Sequence, residues 1–153
     1  MISVSGLKKN FGEYEAVKQI SFTIGKGDVV ALLGPNGAGK TTTMRMLTGF
    51  YEPSGGTAVI GGHDVRSARK QVQSLIGYLP ESASSYPDML VREFLEFIAE
   101  SRGLTAEETE RGLEKAVKVT DLTRYLNSPI MHLSKGYKQR VGLAAALLHD
   151  PQV

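Results

Sequence analysis

The sequence predicts an α/β protein in which a β-rich beginning is followed by a helical subdomain. Three observations support this prediction. Residues 2–7 (ISVSGL) and 18–24 (KQISFTI) alternate apolar and polar side chains, as half-buried strands do. The continuous apolar run VVALLG, residues 29–34, indicates a strand buried on both faces, as in a parallel sheet. From Pro87 onward, apolar residues recur instead at helical spacing.

The segments between these regions follow in chain order. TTTMRMLTG, residues 41–49, predicts a helix with Gly49 at its C-terminal end, because glycine readily adopts the left-handed conformation that ends helices. TAVI at 57–60 predicts a short strand of an antiparallel layer. SARKQVQSL at 67–75 predicts a short helix, and IGYLP at 76–80 predicts a short strand.

Three helices are predicted after Pro87. The first carries one apolar stripe, formed by Val91, Phe94, Leu95 and Ile98. The second opens with TAEE, residues 105–108, which is a capping-box pattern. The third lies in SKGYKQRVGLAAALLHD, with Ser134 as its N-cap, and stops before Pro151.

Composition narrows the possible classes of protein. The net charge of +2 is too small to indicate a nucleic-acid partner. The absence of cysteine excludes disulfides and thiolate metal sites. The apolar runs are far shorter than the roughly 20 residues that a membrane-spanning helix needs. We therefore expect that any membrane-spanning part is supplied by another chain.

The stretch GPNGAGKTT, residues 34–42, separates the apolar run from the first helix. Its glycines allow successive N–H groups to face one concavity, and the following helix adds the positive end of its dipole. Gly34 followed, after four residues, by Gly39-Lys40-Thr41 fits the phosphate-loop pattern. We expect Lys40 to reach the β- and γ-phosphates of a nucleoside triphosphate, and the Thr41 hydroxyl to bind Mg²⁺. The predicted ATP-binding residues are Gly34, Pro35, Asn36, Gly37, Ala38, Gly39, Lys40, Thr41 and Thr42. The alternative is an ordinary glycine-rich turn.

A second motif, LSKGYKQR, begins at Leu133. It resembles the signature sequence of the ATP-binding cassette (ABC) proteins, except that Lys135 stands where the family usually has glycine. A serine-capped helix N-terminus is also a potential anion site. Two such sites on one chain are explained if two copies pair head to tail, so that each signature contacts the ATP held by the other copy. The resemblance implies that the residues making this contact are Ser134, Lys135, Gly136 and Tyr137. Taken alone, LSKG could be only a capped helix.

The resemblance extends along the whole chain and implies two further site residues. Phe11 stands where the family places an aromatic side chain that stacks on adenine; otherwise it is a surface or core phenylalanine. Glu81 stands where the family has a glutamine that contacts Mg²⁺ and the attacking water. A glutamate at this position resembles the sequence pattern of the exporter-type subgroup of the family. That subgroup includes drug-efflux, sodium-efflux and gliding-motility relatives. The alternative is that Glu81 is a solvated carboxylate.

The resemblance also implies a fold and a function. The expected fold is a phosphate-loop NTPase core with an antiparallel β subdomain, both within residues 1–85. A helical subdomain is expected at about 86–130 and a signature helix at 133–150. The expected function is that of an ATPase subunit that couples ATP binding and hydrolysis to export through a separate membrane permease. Such a subunit lies in the cytoplasm, on the inner face of the cell membrane.

The sequence ends at Val153, before the Walker B strand of the family. The aspartate, glutamate and histidine that complete the family's catalytic site follow that strand, so no catalytic residue is assigned. We therefore expect these 153 residues to hydrolyse ATP very slowly on their own. We also expect them to be poorly stable or prone to aggregate, because the missing strand leaves an apolar sheet edge uncovered.

Two other functions remain as alternatives. One is an ABC-type ATPase without a permease, acting on ribosomes or DNA. Such relatives usually have two cassettes or a long coiled coil, whereas the segment between Glu81 and Leu133 has no sustained heptads. The other is an unrelated phosphate-loop enzyme, such as a small kinase, for which LSKGYKQR would be accidental.

Overall fold

The computed structural model describes residues 1–81 and 86–153, which form two compact units, Met1–Leu75 and Ile76–Val153. The first unit contains β1 (Ile2–Phe11), β2 (Tyr14–Ile24), α1 (Lys40–Leu47), β3 (Gly55–Ile60), β4 (His63–Asp64) and α2 (Arg69–Leu75). The second contains α3 (Val91–Ser101), α4 (Ala106–Thr120) and α5 (Lys135–Leu147), with short 3₁₀ helices at Thr123–Tyr125 and Ile130–His132.

The first unit is built on one antiparallel sheet with the strand order β2-β1-β3-β4. Ile2 of β1 pairs with Ile24 of β2 on one side and with Ile60 of β3 on the other. Buried and exposed residues alternate at the start of β1, where Val4 is buried between exposed neighbours. The alternation therefore predicted β1 and β2 correctly, although both extend beyond the predicted segments. The short strand predicted at 57–60 is confirmed as part of β3.

Helix α1 follows the glycine loop and packs against the sheet through buried Met46 and Leu47. It ends as predicted, because Gly49 has a φ of 70° and its N–H donates to the carbonyl of Met46 at 3.0 Å. Helix α2 confirms the short helix predicted after the third strand, and Val72 is its buried residue.

The prediction of a buried strand at residues 29–34 is wrong in this structure. The segment forms no strand, and its side chains are exposed, with Val29 fully accessible and Leu33 86% accessible. A parallel strand exists only when neighbours supply hydrogen bonds, and none of the described residues pairs with this segment. Residues 29–34 are therefore an exposed apolar stretch outside any strand, and not the edge of a sheet.

The short strand predicted at residues 76–80 is also absent. Among the described residues, its one backbone–backbone hydrogen bond joins the N–H of Gly77 to the carbonyl of Val153, at 2.8 Å. A single bond does not make a ladder, so an apolar sequence with strand propensity remains irregular here.

The second unit has its own hydrophobic core between α3, α4 and α5. The predicted stripe of α3 is confirmed, since Val91, Phe94 and Leu95 are buried. Helices α4 and α5 approach so closely that a Cβ added at Gly112 would lie 2.2 Å from the carbonyl oxygen of Leu148. Any side chain at Gly112 would therefore push the two helices apart.

The N-termini of α4 and α5 are capped as predicted. The Thr105 hydroxyl accepts from the N–H of Glu108, and the Glu108 carboxylate accepts from the N–H of Thr105 at 2.8 Å. The Ser134 hydroxyl accepts from the N–H of Tyr137 at 3.4 Å. These hydrogen bonds satisfy donors that the helical ladder leaves free.

Candidate functional site

The loop before α1 has a backbone that only glycine tolerates at one critical position. Gly37 and Gly39 both have a φ of 83°. A Cβ at Gly39 would also lie 2.5 Å from the carbonyl oxygen of Ala16, on strand β2. The loop therefore lies directly against the sheet where the helix begins, and a larger residue would displace it.

The amides at the start of α1 are left free by the protein's own hydrogen bonds. The N–H of Thr43 donates to Gly39 at 2.8 Å and begins the helical ladder. Within the described part of the chain, the four preceding amides, 39–42, have no backbone partner, and no side chain caps the helix. Free N–H groups at a helix N-terminus are suited to bind an anion.

The Lys40 side chain is held at this loop. Its ammonium donates to the carbonyl of Gly34 at 2.6 Å and to that of Pro35 at 2.8 Å. An ammonium group has three donors, so one remains for a further acceptor. Two carbonyls at the start of the glycine loop thus hold the positive charge within the loop that leads into α1. This geometry is compatible with the predicted phosphate contact of Lys40.

Phe11 ends β1 and is 43% exposed, so it is not a core phenylalanine. Its ring makes an edge contact with Tyr51, with the centroids 5.3 Å apart. The Lys9 ammonium lies 5.1 Å from the centre of the Phe11 ring and donates to the carbonyl of Glu52 at 2.7 Å. The adenine contact of Phe11 remains a prediction. Tyr51 and Lys9 were not predicted as its neighbours, because Tyr51 is remote in sequence and Lys9 carries no motif.

The start of α5 presents the signature residues to solvent. Ser134, Lys135 and Gly136 are all exposed. A Cβ built at Gly136 meets no atom within 4 Å, so packing inside this chain does not require glycine there. Tyr137 is half-buried instead.

Tyr137 is enclosed by two side chains that the sequence analysis did not identify. Its ring centre lies 4.2 Å from that of Tyr125 and 4.9 Å from the guanidinium carbon of Arg140. The Tyr137 hydroxyl raises the pKa of Tyr125. Arg140 could have been found from its spacing, since residues three apart on a helix lie side by side. Tyr125 belongs to a separate 3₁₀ helix, and no local pattern connects it to α5.

The two predicted magnesium ligands belong to different units. Thr41 is exposed in the first turn of α1, and its hydroxyl oxygen is a hard donor suited to Mg²⁺. Glu81 is exposed in the second unit. Across residues 1–81 and 86–153, no three acidic, histidine or cysteine residues form a cluster that could hold a metal ion. A cation at Thr41 would thus take most of its ligands from phosphate and water.

These features together define an α/β domain of the phosphate-loop type. They are a glycine loop with free amides, a lysine fixed across that loop, and a helical unit. Residues 17–153 match the family model described as ABC transporter. The match covers most of the sequence, and the chain therefore belongs to the ABC transporter family.

Individual relatives agree with this family. The chain is 40% identical over 152 residues to the uncharacterized ABC transporter ATP-binding protein YxlF of Bacillus subtilis, covering 99% of this chain and 50% of that protein. It is 34% identical over 153 residues to the Nod factor export ATP-binding protein I of Ralstonia nicotianae, covering 100% of this chain and 48% of that one. The chain thus spans about half the length of these curated relatives.

A solved structure agrees with the fold. The structure of cbiO1 from Clostridium perfringens, described as part of the ABC transporter complex cbiONQ, superposes with a TM-score of 0.85 at 28% identity. The match covers 98% of this chain and 62% of that one. The fold is that of an ABC ATPase nucleotide-binding domain. Within the described ranges, no helix is both long and apolar enough to cross a bilayer.

Proposed function

We propose that this chain is the ATP-binding part of an ABC transporter subunit that couples the binding and hydrolysis of ATP to export through a separate permease. The observation that carries the proposal is the group of free amides at 39–42, in a loop whose carbonyls also hold the Lys40 ammonium. These amides lie at the start of α1, where no carboxylate of the first turn competes with an incoming anion. A triphosphate is the ligand that this arrangement suits.

Each residue of the loop has a role in the proposed site. The backbone N–H groups of Gly37 and Gly39 approach the phosphates closely because no side chain intervenes. Lys40 adds a charge-assisted hydrogen bond from a fixed position. Thr41 binds the Mg²⁺ that accompanies ATP and neutralises phosphate charge; Glu81 is proposed as a further ligand of that ion on the resemblance to the family alone. Phe11 offers an exposed ring on which the adenine stacks.

The exposed start of α5 completes the site of a second copy. In a head-to-tail pair, Ser134 and Gly136 of one copy contact the ATP held by the loop of the other. Two features support this arrangement: the exposure of these residues and the open space around Gly136, which a close partner would fill. Hydrolysis in such a pair depends on positioning and charge neutralisation rather than on covalent catalysis by the protein.

The export direction and the location rest on relatives. One relative is named a Nod factor export ATP-binding protein, and a solved neighbour is described as part of the ABC transporter complex cbiONQ. We propose that this chain likewise acts on the cytoplasmic face of the cell membrane, bound to a permease. Glu81 favours the exporter-type subgroup.

The first experiment tests the nucleotide site. Lys40→Ala should weaken binding of a fluorescent ATP analogue by about 100-fold, because it removes a charge-assisted contact from a site with few other charges. Lys26→Ala is the matched control, since Lys26 is exposed in a turn of the same unit and removes the same charge. Equal binding by Lys40→Ala and the parent would refute the assignment of the site.

The second experiment tests the partner. The natural full-length protein, affinity-tagged and purified from detergent-solubilised membranes, should bring down a protein with several membrane-spanning helices. If the protein instead sediments with ribosomes and is not recovered from membranes, the ribosome-associated alternative is favoured. That result would contradict the proposed binding to a permease.

A further inference from the structure

The C-terminal end of α4 and the N-terminal end of α5 are joined by one side chain. Arg140, on the second turn of α5, donates through Nη1 to the Asp121 carboxylate at 3.1 Å and to the Thr120 carbonyl at 3.3 Å. The Thr120 carbonyl is one of the last of α4, where the helical ladder supplies no donor and the dipole is negative. Arg140 thus acts as a cap for α4 from a different helix.

The same guanidinium packs against the aromatic residue of the signature. It lies 4.9 Å from the centre of the Tyr137 ring, and the Tyr125 ring is 4.2 Å from that centre. Tyr125 belongs to the 3₁₀ helix that follows α4. Tyr137 is therefore held between a residue of its own helix and one fixed to the end of α4.

Asp121 gives this contact a defined geometry. It has a left-handed backbone, with a φ of 56°, and its own N–H donates back to Lys118. This conformation is uncommon for residues other than glycine, asparagine and aspartate. Glycine would be less strained at this position, but it would lack the carboxylate that Arg140 binds.

We propose that Arg140 is a positioning residue for the signature: anchored on Asp121 and packed on Tyr137, it fixes the first turn of α5 so that Ser134 and Gly136 meet the ATP of a second copy. The inference rests on the head-to-tail pairing proposed above. Arg140 itself does not touch nucleotide. Its effect reaches the signature because Tyr137 lies within the same turn as Gly136.

The experiment compares two kinds of binding in the natural full-length protein. Binding of ATP within one copy is measured with a fluorescent analogue at low protein concentration. Pairing of two copies is measured by analytical ultracentrifugation with Mg²⁺ and the non-hydrolysable analogue AMP-PNP. Arg140→Ala should leave the first unchanged and weaken the second by about two- to fivefold, as expected when an exposed ion pair that only positions the contact is lost.

Three variants refine the experiment. Arg124→Ala removes a positive charge from the neighbouring 3₁₀ helix, where none of the described acidic residues forms an ion pair with it. Two copies of this variant should associate as the parent does. Arg140→Lys should recover part of the pairing, because lysine keeps the charge but cannot form the planar contact with Tyr137. Asp121→Asn tests the anchor if Arg140→Ala does not fold.

The outcomes separate this inference from the proposed function. If the parent does not pair with AMP-PNP, the head-to-tail arrangement fails and the inference fails with it. If the parent pairs and Arg140→Ala pairs equally well, only the positioning role is wrong. If nucleotide binding within one copy falls in parallel with thermal stability, Arg140 is merely structural and the inference is overturned.

Discussion

The N-termini of α1 and α5 solve the same physical problem in opposite ways. Each leaves several N–H groups without partners in the helical ladder. At α5 the Ser134 hydroxyl caps the N–H of Tyr137, so the helix end is partly satisfied by the chain itself. At α1 the residue before the helix is Gly39, no side chain provides a cap, and a lysine is fixed nearby. The donors of α1 are thus left free for the proposed triphosphate, and binding of a ligand there would stabilise the first unit.

Gly39→Ala should have the largest effect on the uncapped N-terminus of α1. An alanine there would need a left-handed backbone, which costs about 1–2 kcal/mol, and its Cβ would lie 2.5 Å from the Ala16 carbonyl oxygen, an overlap costing about 1–3 kcal/mol more. We expect the first unit to lose about 2–5 kcal/mol of stability, measured by urea unfolding, or to lose nucleotide binding if the loop moves.

Gly27→Ala provides the matched control for this experiment. Gly27 has nearly the same φ, 86°, but a Cβ there meets no atom within 4 Å. It should therefore show only the backbone cost of about 1–2 kcal/mol and should keep nucleotide binding. Equal losses for the two variants would mean that the contact with strand β2 does not constrain the loop.

The next prediction compares two helix N-caps. One only stabilises its helix, and the other is also proposed to contact the second copy. Thr105→Ala removes a reciprocal capping box and should cost about 1–2 kcal/mol. Ser134→Ala removes a single long bond of 3.4 Å and should cost about 0.5–1 kcal/mol. Pairing with Mg²⁺ and AMP-PNP should respond in the reverse order, since of these two residues only Ser134 contacts the second copy in the proposed head-to-tail pair. Urea unfolding and ultracentrifugation measure the two effects. Loss of pairing in Thr105→Ala alone would contradict this division.

The features that the sequence predicted correctly are those decided within a few residues. Thr105 and Glu108 satisfy each other's backbone across one helical turn, and the end of α1 depends on one left-handed glycine. The alternation in β1 and β2 likewise reflects one face of a local strand. The phosphate loop was recognised because its chemistry requires a fixed spacing of glycine, lysine and threonine.

The features that were missed depend on partners remote in the chain. Val29 to Leu33 has a strand-like composition, but a strand also needs neighbours, and the described residues provide none. Tyr125 meets Tyr137 only because α4 and α5 pack together, and Phe11 meets Tyr51 only through the folding of the first unit. Pairwise contacts of this kind are tertiary, so no local pattern in one sequence reveals them.

A smaller effect is expected from Gly136→Ala. Gly136 is in the first turn of α5, and an added Cβ would meet no atom of this chain. Alanine loses less conformational entropy than glycine in a helix, so stability should rise by about 0.5–1 kcal/mol. Pairing should nevertheless weaken, because the methyl group would occupy the space of the second copy's phosphate. A variant that is more stable and also pairs normally would show that the partner does not approach Gly136.

The smallest expected effect is a dependence of stability on pH, caused by His149 just beyond the C-terminal end of α5. The His149 Nε2 lies 3.0 Å from the Ile76 carbonyl oxygen and 3.1 Å from Nη1 of Arg102, and its buried Nδ1 has no partner among the described residues. Burial, followed by the nearby charge of Arg102, lowers the pKa of His149 below its ordinary 6.5. The unfolded chain therefore binds a proton more readily than the folded one, and stability should fall as the pH drops below about 6.5.

Urea unfolding between pH 7.5 and 5.5 isolates this histidine, because the carboxylates whose pKa is lowered, such as Asp150 and Glu108, titrate from ordinary values of 3.8 and 4.5, outside this range. His149→Gln should flatten the decline, since glutamine retains a donor for the Ile76 carbonyl but cannot be protonated. His132→Gln, which removes an exposed imidazole from the same unit, is the control. If the free energy of unfolding of His149→Gln changes with pH as much as that of the parent, then protonation of His149 does not affect stability in this pH range.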